Sequence, residues 1–155
     1  MTLGTIVGLA AGGCYYVGGL FAIQRYYRPE TRAEIINPSH QSENGGRHIT
    51  VSVNIPRRRR RAVYRIAIQP NDCRADGIWW PQNAPLSVNA SGSASLPRVR
   101  LGRDGPQDVG KTFTVGLFEV FGNAQAIFSS FAYRDNATML PSECRPLHSV
   151  EVRRV

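Results

Sequence analysis

The sequence predicts a mainly β protein: a two-layer β-sandwich with one short helix, preceded by a single N-terminal transmembrane helix. Three observations carry this. From Thr2 to Gln24 there is no charged side chain, whereas beyond residue 47 polar and apolar residues alternate in short runs broken by Pro, Gly and Asn, the pattern of half-buried strands. Only one stretch, near residues 123 to 133, switches to a helical period. The 155 residues fit one domain plus an anchor, and 42% hydrophobic with 19% charged residues is the balance of a packed chain rather than a disordered one.

Leu3 to Ile23 is almost entirely apolar or small, which matches the ~20 residues a helix needs to cross hydrocarbon. Arg25, Tyr26, Tyr27 and Arg28 follow at headgroup depth and Pro29 ends the helix, so residues 1–27 read as the transmembrane helix. Met1-Thr2-Leu3 lacks the basic start of a secretory signal, and Ala11-Gly12-Gly13-Cys14 lacks the leucine that opens a lipoprotein signal. Arg25, Arg28 and Arg32 all lie on the C-terminal side, which by the positive-inside rule puts the soluble domain in the cytoplasm. Two Asn-X-Ser/Thr sequons, at Asn89 and Asn136, matter only in a secretory lumen.

Gly4, Gly8 and Gly12 fall on one helix face, where small residues let a second backbone approach. The face serves either self-association in the bilayer, as a glycine zipper, or no packing role at all. Residues 28–47, with Pro29, Pro38, Asn44, Gly45 and Gly46, read as a linker, and the β-domain is expected over 48–155.

Within that domain His48 to Ile55 alternates without a break, and Val63 to Ile68 places Tyr64, Ile66 and Ile68 on one face. Between them Pro56 leads into Arg57, Arg58, Arg59, Arg60 and Arg61. Five adjacent cations stay in water. They form either a plain exposed turn or a contact for phosphates, those of anionic lipid headgroups or of a nucleotide or nucleic acid. Ile78 to Gln82 and Leu86 to Val88 read as two short strands, with Pro81 marking an edge. Leu96 to Leu101 and Thr112 to Val120 continue the alternation. Ala124, Ile127, Phe128 and Phe131 then recur at helical spacing, and Val150 and Val152 point inward from a last strand over Ser149 to Arg153.

Tyr64 to Pro70, Trp80-Pro81-Gln82, Val99 to Gly102 running through Asp108-Val109-Gly110-Lys111 to Phe113 and Val115, and Leu140-Pro141 before a strand follow one another in a characteristic order. In this order the chain resembles a β-sandwich domain found at the C-terminal ends of assorted bacterial membrane and signalling proteins. The resemblance covers about two thirds of the chain and implies an immunoglobulin-like β-sandwich that acts as a binding or interaction module. The arginine run and the Cys73 segment depart from that domain's pattern.

Gly105 to Thr112 fits the phosphate-loop spacing G-x-x-x-x-G-K-[ST], but such a loop needs a helix starting at Lys-Thr within a parallel sheet. Thr112 to Val120 is instead a strand pattern, so nucleotide hydrolysis is not expected. His40, His48 and His148 fall in loops or element ends with no nucleophile beside them, and Asp72, Asp76, Asp104 and Asp108 sit in turn contexts that favour bonding to local backbone. No Cys/His cluster suggests zinc, and no cofactor is implied. Among Cys14, Cys73 and Cys144, a Cys73–Cys144 disulfide and free thiols both stay open. Trp79 and Trp80 face opposite ways if extended, one filling the core and the other offering a surface to a partner or ligand.

The expectation is therefore a non-enzymatic, membrane-anchored sensor or effector subunit, whose domain binds a partner or ligand and whose glycine-faced helix forms a homo-oligomer. The alternative is a structural accessory subunit of a larger membrane complex.

Overall fold

The computed structural model describes residues 32–155 except 83, 104 and 135–137. The transmembrane helix expected over residues 1–27, with Gly4, Gly8 and Gly12, and the sequon at Asn136 lie outside the described residues. Among the described residues no helix is long and apolar enough to cross a membrane.

Among the described residues nine strands form two sheets. The first sheet has the order β1 (Glu34–Asn37), β3 (His48–Asn54), β6 (Ser93–Arg100), all antiparallel. The second runs β2 (Ser42–Asn44), β9 (Cys144–Arg154), β7 (Thr112–Val120), β4 (Val63–Pro70), β5 (Ile78–Pro81), β8 (Thr138–Met139), with β2 parallel to β9. The alternation seen in the sequence has a direct physical outcome. Val51 and Val53 of β3 and Leu96 and Val99 of β6 meet Ile66 and Ile68 of β4, Val115 and Leu117 of β7, and Val150 and Val152 of β9 in one shared core.

The central strands β4 and β7 are buried on both faces, because α1 (Ala124–Arg134) covers the outer face of the larger sheet. Ala124 and Phe128 pack there on Ala67, Phe118 and Val120. The buried side of α1 is thus Ala124, Phe128 and Ala132, while Ile127 is 43% exposed, a correction to the expected apolar stripe. Phe118 carries Trp79 edge-on at 5.0 Å, and Gly116 makes the pair possible: a Cβ there would lie 2.6 Å from the Phe118 ring and 2.9 Å from Trp79. Beneath the helix, the buried Arg65 guanidinium bonds Ser129 Oγ and lies 5.6 Å from the Phe128 ring centre.

Three further expectations need correction. The linker expected over 28–47 is not unstructured from Glu34 onward, because β1 and β2 join the two sheets. These edge strands are too short and polar to show a periodic pattern. They are held by backbone pairing and by two imidazoles, His148 Nδ1 accepting the Ile35 N–H and His40 Nδ1 accepting the Glu151 N–H, each at 3.1 Å. His148 therefore lies inside β9, which runs from Cys144 rather than Ser149. Leu86 to Val88 is loop, not strand: the Leu86 N–H does bond Tyr64 O at 2.9 Å, but no ladder continues it.

Candidate functional site

Strand direction sorts the charged and aromatic residues into two groups at opposite ends of the domain. Glu34 pairs with Asn54, Asn54 with Ser93, and Val63 with Val120, which pairs in turn with Cys144. One end therefore collects the start of β1, the arginine loop between β3 and β4, the loop before β6 and the start of β9. The other end collects the close of β4, the start of β7 and the close of β9, since Pro70 pairs with Phe113 and Phe113 with Val152.

At the first end Arg57 to Arg61 are all exposed, as expected, but the loop is not a plain turn. The Arg59 backbone N–H donates to Tyr64 Oη at 3.0 Å, and Tyr64 Oη donates to Glu119 Oε1 at 3.3 Å. Glu119 is 3% exposed. Its Oε2 accepts no hydrogen bond and faces two guanidiniums, Arg59 Nε at 3.7 Å and Arg145 Nη1 at 3.8 Å. Burial, and secondarily the Glu119 charge, raise the Tyr64 phenol above its ordinary value. Arg58 Nη1 donates to Val88 O at 2.9 Å, and both residues line an open groove of about 710 Å³ together with Tyr64, Pro85 and Leu86. Arg58 and Arg59 are thus pinned, and Arg57, Arg60 and Arg61 project from the pinned loop.

At the other end Trp80, on the face of β5 opposite Trp79, looks onto Ile68 and Phe113 in a groove of about 620 Å³. The segment with phosphate-loop spacing forms one wall. It makes a single short turn at Pro106–Asp108 and passes straight into β7, so no helix N-terminus is aimed at the groove. Lys111 Nζ is held between Asp108 Oδ1 at 3.0 Å and Asp72 Oδ2 at 3.2 Å. Asp108 Oδ2 also accepts the Arg103 N–H at 2.6 Å. That bond and the Lys111 ammonium hold the Asp108 carboxyl below its ordinary value, and the two carboxylates raise Lys111. Gly102, at φ +77°, permits the close approach: a Cβ there would lie 2.6 Å from Asp108 Oδ2 and 2.9 Å from Phe113.

The loop over this groove is templated by a buried cation that the sequence does not single out. Arg154 Nη1 donates to Leu101 O at 3.2 Å and Arg103 O at 2.9 Å, and Nη2 donates to Gly105 O at 3.0 Å. Glu119 and Arg154 share one overlooked signal: each continues the inward phase of an apolar strand, after Phe113, Val115 and Leu117 in one case and after Val150 and Val152 in the other.

Both described cysteines are free. Cys73 lies at the groove end of β7 and Cys144 pairs with Val120 at its other end. Seven residues of strand put them roughly 23 Å apart, far beyond the roughly 7 Å limit on Cα separation for a disulfide. Burial pushes the Cys144 thiol up to about 11 and raises Cys73 as well, which disfavours the reactive thiolate. Among the described residues no group of three or more His, Cys, Asp or Glu side chains is placed to hold a metal ion.

No protein-family model, curated protein or solved structure matches the chain.

Proposed function

We propose that this chain is a non-catalytic binding subunit, tethered to a membrane by its N-terminal segment, whose arginine end seats on anionic headgroups while the Trp80 end faces away to receive a ligand or partner. The observation that carries this reading is the register Glu34 to Asn54. It sets the start of β1, with the exposed Arg32 just before it, beside the arginine loop. Each arginine near an anionic surface adds roughly 1 kcal/mol of attraction.

The fold is read as immunoglobulin-like. With the strands lettered in chain order A, A′, B, C, C′, E, F and G, A-B-E faces A′-G-F-C-C′, the arrangement of that class with α1 and β8 added between F and G. The resemblance to β-sandwich domains of bacterial membrane and signalling proteins points the same way. The absence of catalysis is supported by chemistry already committed elsewhere: two imidazoles accept backbone N–H groups, and the groove carboxylates hold Lys111. A cytoplasmic location follows from Arg25, Arg28 and Arg32, and oligomerisation through Gly4, Gly8 and Gly12.

The test is flotation of residues 32–155, a compact unit with its own core, on vesicles of phosphatidylcholine alone or mixed with phosphatidylglycerol. Binding to the anionic vesicles only, lost in high salt, is expected. Equal behaviour on both vesicles overturns the seating. Stoichiometric foreign subunits in a mild-detergent pull-down of the full chain would favour the accessory-subunit alternative.

A further inference from the structure

We propose that the groove beside the arginine loop seats a single phosphate monoester, the terminal phosphate of a lipid headgroup or of a small soluble ester. This deepens the headgroup-seating reading of the same end and rests on it. Seating needs only diffuse charge, whereas the groove is a discrete site that one molecule saturates.

The lining sets the charge of the ligand. Arg58, Arg59 and Arg60 line the groove, and among the described residues no carboxylate does. Glu119, the carboxylate that faces a lining cation, is shared between Arg59 at 3.7 Å and Arg145 at 3.8 Å, so it neutralises at most one of the three. At least two positive charges are left over. A phosphodiester or a carboxylate brings one negative charge, but a phosphate monoester brings close to two at neutral pH, its second pKa being about 6. The monoester is therefore the anion whose charge balances the groove.

The loop sets the geometry. The bond from Arg58 Nη1 to Val88 O at 2.9 Å holds that guanidinium in place while spending one of the five N–H donors an arginine carries. The Arg59 N–H is tied to Tyr64 Oη, which is tied in turn to Glu119, so the backbone next to Arg58 is fixed to the larger sheet before any ligand arrives. Arg60 follows with an exposed side chain that is free of hydrogen bonds and ion pairs among the described residues. A guanidinium already in position loses little freedom on taking an oxyanion, and its planar fork meets two phosphate oxygens at once.

The rest of the lining bears on what carries the phosphate. Pro85 is exposed, and Ala62, Val63 and Val88 are half-buried, so apolar carbon stands beside the cations. The volume of about 710 Å³ lies in the range of sites for small organic ligands and accommodates the carbons of a glycerol unit together with its phosphate.

The experiment is calorimetric titration of the full chain in phosphatidylcholine nanodiscs with glycerol 3-phosphate, a monoester, and with dimethyl phosphate, a diester. The monoester is expected to saturate at one per chain and to bind tenfold or more tighter than the diester. Arg58→Gln and Arg60→Gln, both at exposed side chains, are each expected to weaken monoester binding by about tenfold, the scale of one charge-assisted contact. Arg57→Gln combined with Arg61→Gln should leave it within about twofold, because neither residue lines the groove. Repeating the titration in nanodiscs that carry phosphatidic acid, or phosphatidylglycerol at matched surface charge, identifies the source. Loss of the glycerol 3-phosphate signal with phosphatidic acid alone assigns the lipid monoester, and its persistence in both assigns a soluble ester. Equal affinity for monoester and diester overturns the proposal, as does unchanged affinity in both single variants. Flotation on phosphatidylglycerol vesicles involves no monoester, so a failure of headgroup seating and a failure of this site are read separately.

Discussion

The two ends of the domain use the same residue type in opposite ways. At one end five arginines are exposed, and two of them are held back, Arg59 by the buried Glu119 and Tyr64 and Arg58 by the Val88 carbonyl. At the other end a buried arginine ties down a loop of carbonyls, and the groove beside it is lined by aromatic rings and paired charges. A long-range surface field comes from charge left in water, whereas a shaped site comes from charge buried and saturated with hydrogen bonds. The first arrangement suits an extended anionic surface and the second a single molecule.

The largest effect is expected from Arg154→Leu. It leaves Leu101, Arg103 and Gly105 carbonyls without their charged donor, at a cost of about 2 to 4 kcal/mol, or a fall of roughly 10 °C in Tm. The loss should be local: hydrogen exchange opens around residues 101–111 while vesicle flotation survives. If flotation falls as well, the ends are not independent and the comparison breaks.

Glu119→Gln tests the opposite end and should cost less, about 1 kcal/mol, because both guanidinium partners are more than half exposed and well screened. Tyr64 offers a direct readout. Removing the neighbouring charge should move its phenol back toward the ordinary value of 10.0, by less than the whole displacement because burial is the larger cause. Ultraviolet titration measures this. A Tyr64 titration that does not move would show that Glu119 does not reach the loop through the phenol.

How much of this was legible in the sequence follows from what each element depends on. Strands β3, β4 and β7 lie close to where the alternation puts them, because burial of one face is written at period two. The opposite placement of Trp79 and Trp80 follows from the same rule. Strands β1 and β2 were hidden because their stability comes from backbone pairing to partners far along the chain, which leaves no local pattern. The arginine run was visible as charge, but its tether was not, since Glu119 lies 60 positions beyond Arg59 in the chain. The groove was hidden for the same reason, its walls being drawn from β4, β5, β6 and the turn before β7.

Asp108→Asn separates the ends by pH. Hydrogen bonding by the Arg103 N–H and the charge of Lys111 lower the Asp108 carboxyl below its ordinary 3.8, so the ionised form is favoured in the folded state. The stability this adds is present above about pH 4 and is lost as pH falls through the lowered value. Wild type should therefore lose Tm more steeply than Asp108→Asn on acidification below pH 4, and hydrogen exchange should open first around residues 101–111. Parallel acid curves for the two proteins would remove Asp108 from the stabilisation of that loop.

The smallest change in stability is expected where the charge is greatest. Arg57, Arg60 and Arg61 project from the loop, so replacing all three with Gln should alter ΔG of unfolding by under about 0.5 kcal/mol, whereas Arg59→Gln leaves the buried Glu119 facing Arg145 alone and should cost more. Binding should follow the reverse order. The triple variant gives up roughly 1 kcal/mol of attraction to an anionic vesicle per charge removed, an effect that shrinks in high salt as the screening length shortens. Flotation and urea melts on the same two proteins decide the matter. If Arg59→Gln lowers binding as strongly as the triple change while leaving stability untouched, the tether is incidental and all five arginines are one solvated patch. The expected result is a loop in which Arg59 and Glu119 hold the shape and Arg57, Arg60 and Arg61 supply the field.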